Sequence, residues 1–290
     1  AIKDSGNVLL ACAYGKQMIY IEPEKMFRDN AMGYGLIGAV RDADNVIRKI
    51  RPFALILSRD KSADFSFELK ASAFYLGIPH KNIINHTSDI MLKFSKDPRL
   101  EERAIMIPLD EEGSMNINYF QKFDEMNSLP FWKVYNGEIP KNALKNKLVI
   151  VSQTGELFHD QALSPYGLQP GGAIIVNAVG TILSQNFIRE LSARFYYFLL
   201  IFVCLVMSII NYKLSAIRGF LFTFFAIGSF YFTSIVLFIN NVIFDIFDII
   251  VLSALMYASI SFYKYVWLLV ESADVRRLAI TDSLTGLNTH

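Results

Sequence analysis

The chain has 290 residues, which is enough for one soluble domain of ordinary size together with a membrane-embedded part. Its 28 basic and 27 acidic side chains leave a formal net charge of +1, which excludes the strongly basic class of nucleic-acid-binding proteins. Hydrophobic residues make up 53% of the chain and are most concentrated in its last third. We therefore expect a soluble N-terminal domain followed by a membrane-embedded region.

The first 190 residues contain short apolar runs separated by polar turns, which predicts a mixed α/β domain. Strands are predicted at 7–14, 17–21, 46–57, 104–108, 115–119 and 147–152, and the last of these is the strongest candidate. Helices are predicted at 62–76, 88–94 and 173–185. Ser62 is the predicted N-cap of the first helix, and Gly77 followed by Pro79 marks its end.

The stretch Asp110-Glu111-Glu112-Gly113 separates two predicted strands, 104–108 and 115–119. Acidic residues followed by Gly between two apolar runs are typical of a β-hairpin. We therefore expect these two strands to pair with each other.

The stretch Asp42-Ala43-Asp44-Asn45 predicts a polar turn. Its oxygen-bearing side chains are also of the kind that binds calcium, but an EF-hand loop continues to a Gly and a distal Glu. Arg48 and Lys49 follow here instead. A turn is therefore the favoured interpretation.

Gly33, Gly35 and Gly38 match the G-x-G-x-x-G pattern of dinucleotide-binding loops. Such a site needs a strand directly before the motif and a helix that starts on it. Here the polar stretch 22–30 precedes the motif and a turn follows it. We therefore expect no dinucleotide cofactor at these glycines.

Two further groups of residues are weak candidates for chemistry. His80, His86 and His159 have a spacing that fits no common metal site. Ser152, His159 and Asp160 follow a predicted strand, as a nucleophile and its helpers do, but the G-x-S-x-G elbow is missing. We assign no metal site, and hydrolase activity is the less favoured interpretation of this loop.

The region 194–270 is mostly apolar and divides into three segments, at about 195–212, 219–239 and 249–270. A helix that crosses the hydrocarbon core needs roughly 20 mostly apolar residues. A buried helical core of a soluble protein is the alternative, but Phe-rich faces on every side favour contact with lipid. The sequence therefore predicts three transmembrane helices.

Basic residues in the short connections predict the orientation of these helices. Lys213 and Arg218 lie between the first two segments, and Lys264, Arg276 and Arg277 lie near the end of the third or beyond it. Because the number of crossings is odd, we expect residues 1–193 on the outer side of the membrane and the C-terminus in the cytoplasm.

The connection between the second and third segments carries two carboxylates, Asp245 and Asp248, and no Lys or Arg. An acidic pair inside the membrane would be a functional signal. Because Asn240 and Asn241 lie beside these carboxylates, an interfacial loop is the favoured interpretation.

Residues 271–290 are expected to form a cytoplasmic linker and the start of a further domain. The helix of the third segment is predicted to continue to residue 280, where a stretch rich in turn residues breaks it. That stretch resembles the first motif of GGDEF domains, the diguanylate cyclases, whose pattern is close to D-x-L-T-G-L-x-N-R. The matching residues are Asp282, Leu284, Thr285, Gly286 and Leu287, whereas Thr289 and His290 stand at the Asn and Arg positions.

The soluble domain resembles the second subtype of the CHASE sensors, extracellular domains associated with cyclases and histidine kinases. Asp42, Asp44 and Arg48 match the family pattern D-x-D-G-V-x-R-R, with Asn45 in the place of Gly. Residues 147–152 resemble the segment G-K-x-V-x-I-G, with Ser152 in the place of its last Gly, and Asp160 matches the Asp beyond it.

A third stretch resembles the pattern T-P-x-G…P-G-V-E-x-H-A-N of the same sensors, and its matching residues are Pro165, Pro170, Gly171 and Asn177. Ala173 and Ile175 replace the Glu and His of the pattern. In this subtype three membrane helices and an output domain follow the sensor, which is the order expected here.

The two resemblances together imply the sensor and membrane portion of a transmembrane diguanylate cyclase in a bacterial inner membrane. The complete enzyme would condense two GTP molecules into cyclic di-GMP with Mg²⁺ or Mn²⁺, as a homodimer, under the control of an extracytoplasmic ligand. No catalytic residue is expected within this chain, which we interpret as a fragment whose sensor domain is incomplete at its N-terminus. A non-enzymatic receptor with a degenerate GGDEF domain is the alternative, and a plain membrane anchor or transporter fragment is a third.

Overall fold

A computed structural model describes residues 2–14, 20–55, 63–94, 104–155 and 160–280 of the chain. The chain divides into two compact units, Ala1–Arg189 and Glu190–His290. The first unit has the mixed α/β content predicted from the sequence, and the second contains the long apolar helices.

The first unit is built from short elements. Its helices are α1 (Ile2–Ser5), α2 (Lys25–Arg28), α3 (Phe67–Tyr75), α4 (Phe131–Tyr135) and α5 (Gly171–Ser184). Its first strands are β1 (Leu9–Tyr14), β2 (Tyr20–Ile21), β3 (Gly33–Leu36), β4 (Ala39–Arg41), β5 (Ile47–Ile50), β6 (Phe53–Leu55) and β7 (Ala63–Phe65). The remaining strands are β8 (Ile83–Asn85), β9 (Asp89–Lys93), β10 (Ala104–Pro108), β11 (Met115–Asn116), β12 (Gln161–Ser164) and β13 (Gly167–Pro170), and β14 (Arg189–Glu190) follows at the unit boundary.

The strands form several small sheets, which α3 and α5 cover. Three sheets have three strands each, in the orders β2-β1-β3, β10-β9-β8 and β11-β5-β4. The β1–β3 pair is parallel, with Leu9 opposite Gly33, and the other pairs in these sheets are antiparallel. The main core contains fully buried side chains from the sheets and from both helices, among them Ile50, Leu69, Ile90, Ile107 and Ile182.

The glycines of the G-x-G-x-x-G match serve close packing between β3 and the start of α3. A Cβ atom on Gly35 would lie 2.7 Å from Phe67 Cα, and one on Gly38 would lie 2.7 Å from the carbonyl oxygen of Arg51. The motif lies largely on a strand, and no helix starts on it. The glycines therefore let α3 approach the sheet and do not form a phosphate loop.

Helix α3 begins later than predicted. Ser66 is its N-cap and accepts a hydrogen bond from the Leu69 amide at 3.3 Å, while the predicted cap, Ser62, lies outside the described residues. The end of the helix agrees with the prediction, since Gly77 follows it with a φ of +70°. The predicted strand 46–57 is interrupted at Pro52, between β5 and β6, as a proline break requires.

Three local predictions were wrong. The predicted helix 88–94 is instead occupied by strand β9 (Asp89–Lys93), with Ile90 and Leu92 buried at alternate positions. Strands β10 and β11 do not form a hairpin, because β10 pairs with β9 and β11 pairs with β5. Residues 147–152, all of them described, belong to none of the described strands.

In the segment 147–152, side chains that pack against the core nevertheless alternate with exposed ones, as the sequence predicts for a strand. Leu148 and Ile150 pack against the α3–α5 cluster of Ala71, Ile175 and Val179, whereas Val149 and Val151 are exposed. The side-chain pattern therefore predicts which residues face the core, but a strand also needs a neighbouring backbone to pair with.

The second unit contains α6 (Ala193–Lys213), α7 (Ala216–Ile239), β15 (Val242–Ile243) and α8 (Phe247–Ile280). Within the described part of the chain, three helical stretches have the length and composition to cross a membrane: Ala193–Lys213, Ala216–Ile239 and Phe247–Arg276, with 21, 24 and 30 residues. Large apolar side chains such as Phe198, Phe225 and Phe232 are exposed on them, which suits lipid better than water. The three predicted segments are therefore apolar helices that are long enough to cross a membrane, and the helix of the third segment extends to residue 280 as predicted.

Replacing Gly35 by Ala should destabilise the sensor unit, because the new methyl group would meet the Phe67 backbone, which cannot move aside cheaply. We expect a loss of about 1–3 kcal/mol, the usual effect of overpacking, measured by denaturant unfolding. Gly33→Ala is the matched control on the same strand, since its Cβ would meet Leu9 Cδ1 at an ordinary 3.6 Å. Equal stability of the two variants would contradict the packing role of Gly35.

Candidate functional site

The turn Asp42–Val46 is closed by its own backbone and side chains. The Asp42 amide donates to the Val46 carbonyl at 3.0 Å, and the Val46 amide donates to Asp44 Oδ1 at 3.1 Å. Asn45 has a φ of +63°, in the left-handed region that Gly and Asn tolerate best. Asn45 therefore suits a position at which the CHASE pattern has Gly.

Arg48 holds both carboxylates of this turn. Its guanidinium donates to Asp42 Oδ2 at 2.6 Å and to the two oxygens of Asp44 at 2.9 and 2.7 Å. These hydrogen bonds, together with the one from the Val46 amide, lower the pKa of Asp44 to about 2. The guanidinium binds the same carboxylate oxygens that a calcium ion would need. Arg48 therefore stabilises the turn by bonding to both of its carboxylates.

Asp160, Gly171 and Asn177 belong to a second group, around the start of α5. The Gly171 amide donates to the Asp160 carbonyl at 2.9 Å, and a Cβ on Gly171 would lie 2.6 Å from Asp160 Oδ1. Partial burial raises the pKa of Asp160. Pro170 directly precedes α5, and Pro165 lies in the turn between β12 and β13.

Asn177 is fully buried and its amide is fully hydrogen-bonded. Its Oδ1 accepts from the amides of Phe120 and Gln121 at 3.0 and 3.3 Å, and its Nδ2 donates to the carbonyls of Gln121 and Ala173 at 3.0 and 2.9 Å. It therefore fixes α5 to the segment that follows β11. A backbone bridge between Val46 and Leu163 links the first group to the second. Among the family-motif residues, Arg48 and Asn177 thus stabilise the turn at Asp42–Val46 and the position of α5.

Of the histidine and serine candidates, the structure describes His80, His86 and Ser152. Among the described residues, no group of three His, Cys, Asp or Glu side chains is placed to hold a metal ion. His86 bonds Asp89 at 2.9 Å, and Ser152 lies against the start of α5 at Gly172. His159 lies outside the described residues, so only Ser152 and Asp160 of the less favoured Ser152–His159–Asp160 group are described.

A cavity of about 560 Å³ lies beside β1, β3 and α3. Its walls are mostly apolar and include Leu9, Met32, Phe74, Ile78 and Ile83. Pockets of this size and character are typical sites for small molecules. This cavity is the candidate ligand pocket of the domain.

One corner of the ligand pocket is polar. Lys70 Nζ donates to Asp64 Oδ2 at 2.5 Å and to the Tyr34 carbonyl at 2.8 Å. Asp64 Oδ1 accepts from the Phe65 amide at 2.7 Å and lies 3.6 Å from His80 Nε2. These residues come from separate elements, α3, β3 and β7, so their spacing in the sequence does not reveal that they are neighbours. Among them only His80 is a candidate from the sequence.

Glu68 lies on α3 and is completely buried. Both of its carboxyl oxygens lie within hydrogen-bond distance of the Gly38 amide, at 3.2 and 3.1 Å. Burial raises the pKa of Glu68, because removal from water disfavours the charged form. The carboxyl group therefore sits directly beneath the glycine motif and holds a proton more firmly than an exposed glutamate.

The membrane unit has a polar network that joins its three helices, formed by Asn211, Thr223 and Lys264. Buried Asn211 on α6 donates to Thr223 Oγ1 on α7 at 3.2 Å, and Lys264 on α8 donates to the Asn211 carbonyl at 2.8 Å and to the Leu214 carbonyl. The absence of a side chain at Gly219 leaves space for Asn211, because a Cβ atom on Gly219 would lie 2.8 Å from Asn211 Oδ1. Lys264 thereby caps the last turn of α6, where carbonyl groups lack helical partners.

Asp245 and Asp248 lie at the start of α8. Asp245 Oδ1 accepts from the Phe247 amide at 2.9 Å, and Asp248 Oδ2 accepts from the Tyr196 hydroxyl of α6 at 3.1 Å. Carboxylates at a helix N-terminus satisfy free amides and complement the helix dipole. The two acids thus have structural partners in this unit.

A sequence model of the family described as CHASE2 domain matches residues 1–210 of the chain. The chain belongs to the CHASE2 domain family. No curated protein and no solved structure matches it. The CHASE2 match covers the whole mixed α/β unit and most of α6, so the sensor-type domain is joined directly to the first apolar helix.

A CHASE2 sensor domain followed by three apolar helices makes this protein a membrane-embedded signalling receptor with an extracellular-type sensor domain. The predicted relation to the CHASE sensors is confirmed. The GGDEF-like residues Asp282, Leu284, Thr285, Gly286 and Leu287 lie beyond the CHASE2 match and outside the described residues.

Glu68→Gln should change the pH dependence of stability. A raised pKa in the folded state gives stability that is fully present below the unfolded value, near 4.5, and is lost as the pH rises through the folded value. Glutamine stays neutral and can still accept from the Gly38 amide, so the variant should gain stability relative to the wild-type protein between pH 5 and pH 8. Thermal unfolding at both pH values measures this, with exposed Glu112→Gln as the control. A difference that does not grow with pH would contradict the assignment.

Proposed function

We propose that this chain is the sensor and membrane portion of a diguanylate cyclase, which condenses two GTP molecules into cyclic di-GMP. The main support is the path of α8, an unbroken helix of 34 residues from Phe247 to Ile280 that leads directly into the GGDEF-like stretch starting at Asp282. Mg²⁺ or Mn²⁺ would act with GTP in the output domain, and none of their ligands is proposed within this chain.

The proposed location is a bacterial inner membrane, with residues 1–193 outside and the C-terminus in the cytoplasm. Lys213 and Arg218 in the first connection and Arg276 at the end of the third span support this orientation. This orientation also places the proposed output domain in the cytoplasm, where GTP is present. The 30 residues of Phe247–Arg276 exceed the roughly 20 that a span needs, so the last turns of α8 would extend beyond the hydrocarbon core.

A homodimer follows from the chemistry, because each protomer of such a cyclase brings one GTP molecule to the reaction. The C-terminal part of α8 supports this proposal with Leu268 and Val275, which are seven residues apart and more than half exposed. Apolar residues at this spacing lie on one helix face, where a second copy of the helix can cover them. A ligand on the outside would then act by favouring one of two arrangements of the helix pair.

A receptor that makes no cyclic di-GMP is the second candidate. Thr289 and His290 stand where the GGDEF pattern has Asn and Arg, and this departure favours a degenerate output domain that binds a nucleotide or a partner. The two candidates share the membrane arrangement and differ only in the output reaction.

The test is cyclic di-GMP formation from GTP and Mg²⁺ by the full-length natural protein in lipid nanodiscs. We expect activity, and we expect the double variant Leu268→Gln, Val275→Gln to lose about tenfold, which corresponds to about 1.4 kcal/mol of lost helix association. Ala273→Gln is the control, because it is exposed on the opposite face of the same helix.

Two outcomes would count against the cyclase. A sequence after residue 290 without a GG(D/E)EF loop, together with absence of product, would favour the non-enzymatic receptor. If the double variant Leu268→Gln, Val275→Gln were as active as the Ala273→Gln control, the proposed pairing of the two α8 helices would be wrong.

A further inference from the structure

We propose that the cavity beside β1, β3 and α3 binds a zwitterionic α-amino acid with an apolar side chain. This inference deepens the proposed function, because it names the ligand class of the receptor. It rests on the ligand pocket described above and not on the nature of the output domain.

The size and walls of the ligand pocket define the apolar part of the ligand. A volume of about 560 Å³ lies within the range of small-molecule sites, roughly 300–1,000 Å³. Ile78 and Ile83 are buried beside the cavity, and Leu9 and Phe74 are half-buried. Such walls favour an aliphatic or aromatic side chain, which gains free energy when it leaves water.

The charges in the ligand pocket define the polar part of the ligand. Asp64 and Lys70 form an ion pair in which the Lys70 side chain is 15% exposed and the Asp64 side chain 27% exposed. Two of the three ammonium hydrogens of Lys70 are used among the described residues, by Asp64 and by the Tyr34 carbonyl. Nζ also lies 6.0 Å from the centroid of the Tyr34 ring, and an ammonium group has three donors, so a third hydrogen bond to an incoming carboxylate is allowed by its chemistry.

Asp64 offers the complementary contact. Its Oδ1 atom accepts from the Phe65 amide and lies 3.6 Å from His80 Nε2, a distance too long for a hydrogen bond. A carboxylate oxygen has more than one acceptor position, so Oδ1 can also accept from a ligand ammonium group.

A ligand with a single charge fits this corner poorly. A simple carboxylate on Lys70 would be repelled by Asp64, and a simple amine on Asp64 would be repelled by Lys70. A zwitterion presents its carboxylate to Lys70 and its ammonium group to Asp64, so both contacts are attractive and the pocket stays neutral. The Asp64–Lys70 ion pair is thus complementary in charge to the ammonium and carboxylate groups of an amino acid.

The experiment measures binding to the whole chain in lipid nanodiscs by isothermal titration calorimetry, without GTP. The probes are L-phenylalanine, phenylacetate, which lacks the ammonium group, and 2-phenylethylamine, which lacks the carboxylate. We expect L-phenylalanine to bind and each analogue to bind about tenfold more weakly or worse, because a site built for a polar group rejects a ligand that lacks it.

Two variants should invert the charge preference of the pocket. Asp64→Asn removes the repulsion of carboxylates, so phenylacetate should gain affinity while 2-phenylethylamine loses it. Lys70→Met should do the opposite. Lys81→Met is the control, since this exposed lysine follows His80 and does not line the pocket. A merely structural role of the ion pair would weaken all three probes together.

Each possible result of this titration either supports the amino-acid proposal or contradicts it. If phenylacetate or 2-phenylethylamine binds as tightly as L-phenylalanine, the zwitterion is not recognised and the proposal is wrong. Absence of binding by L-phenylalanine also overturns it, and the wild-type comparison does so even where a variant fails to fold. Because the titration needs no cyclase activity, its failure would leave the proposed output reaction untouched.

Discussion

The hydrocarbon core of a membrane offers no hydrogen-bond partner to a peptide group, and this constraint governs the protein. Each crossing must be a helix that satisfies its own backbone, and α6, α7 and α8 have that length and composition. In the proposed topology, the three crossings by α6, α7 and α8 place the CHASE2 domain and the C-terminal end of α8 on opposite sides of the membrane. Any signal between the two sides must therefore pass through the relative positions of these helices.

The polar network of Asn211, Thr223 and Lys264 shows how these positions are held. Interhelical hydrogen bonds replace the hydrophobic effect as a source of cohesion between helices in lipid. Lys264 lies on α8 yet caps α6, the helix that directly follows the CHASE2 domain in the chain. Helices α6 and α8 are thus joined by hydrogen bonds, which suits a receptor that converts a ligand contact into a change of helix geometry.

The sequence predicts the helical features of the protein better than its sheets. Runs of apolar residues and stop signals are local, so the three spans, α5 and the end of α3 at Gly77 could be predicted. Which strands pair with each other depends on contacts between distant parts of the chain. For this reason a helix was wrongly predicted at 88–94, and a hairpin was wrongly predicted for β10 and β11. The ligand pocket was missed for the same reason, since Tyr34, Asp64 and Lys70 come from three separate elements.

Membrane topology is the most direct test of this account, measured with paired reporters fused to the chain in a bacterial host. A fluorescent protein, which folds in the cytoplasm, and alkaline phosphatase, which is active only outside it, are each placed after residue 290 and between Asn240 and Asn241. The account predicts fluorescence without phosphatase activity after residue 290, and the reverse between Asn240 and Asn241. Phosphatase activity after residue 290 would contradict the proposed separation of an outer sensor from a cytoplasmic output.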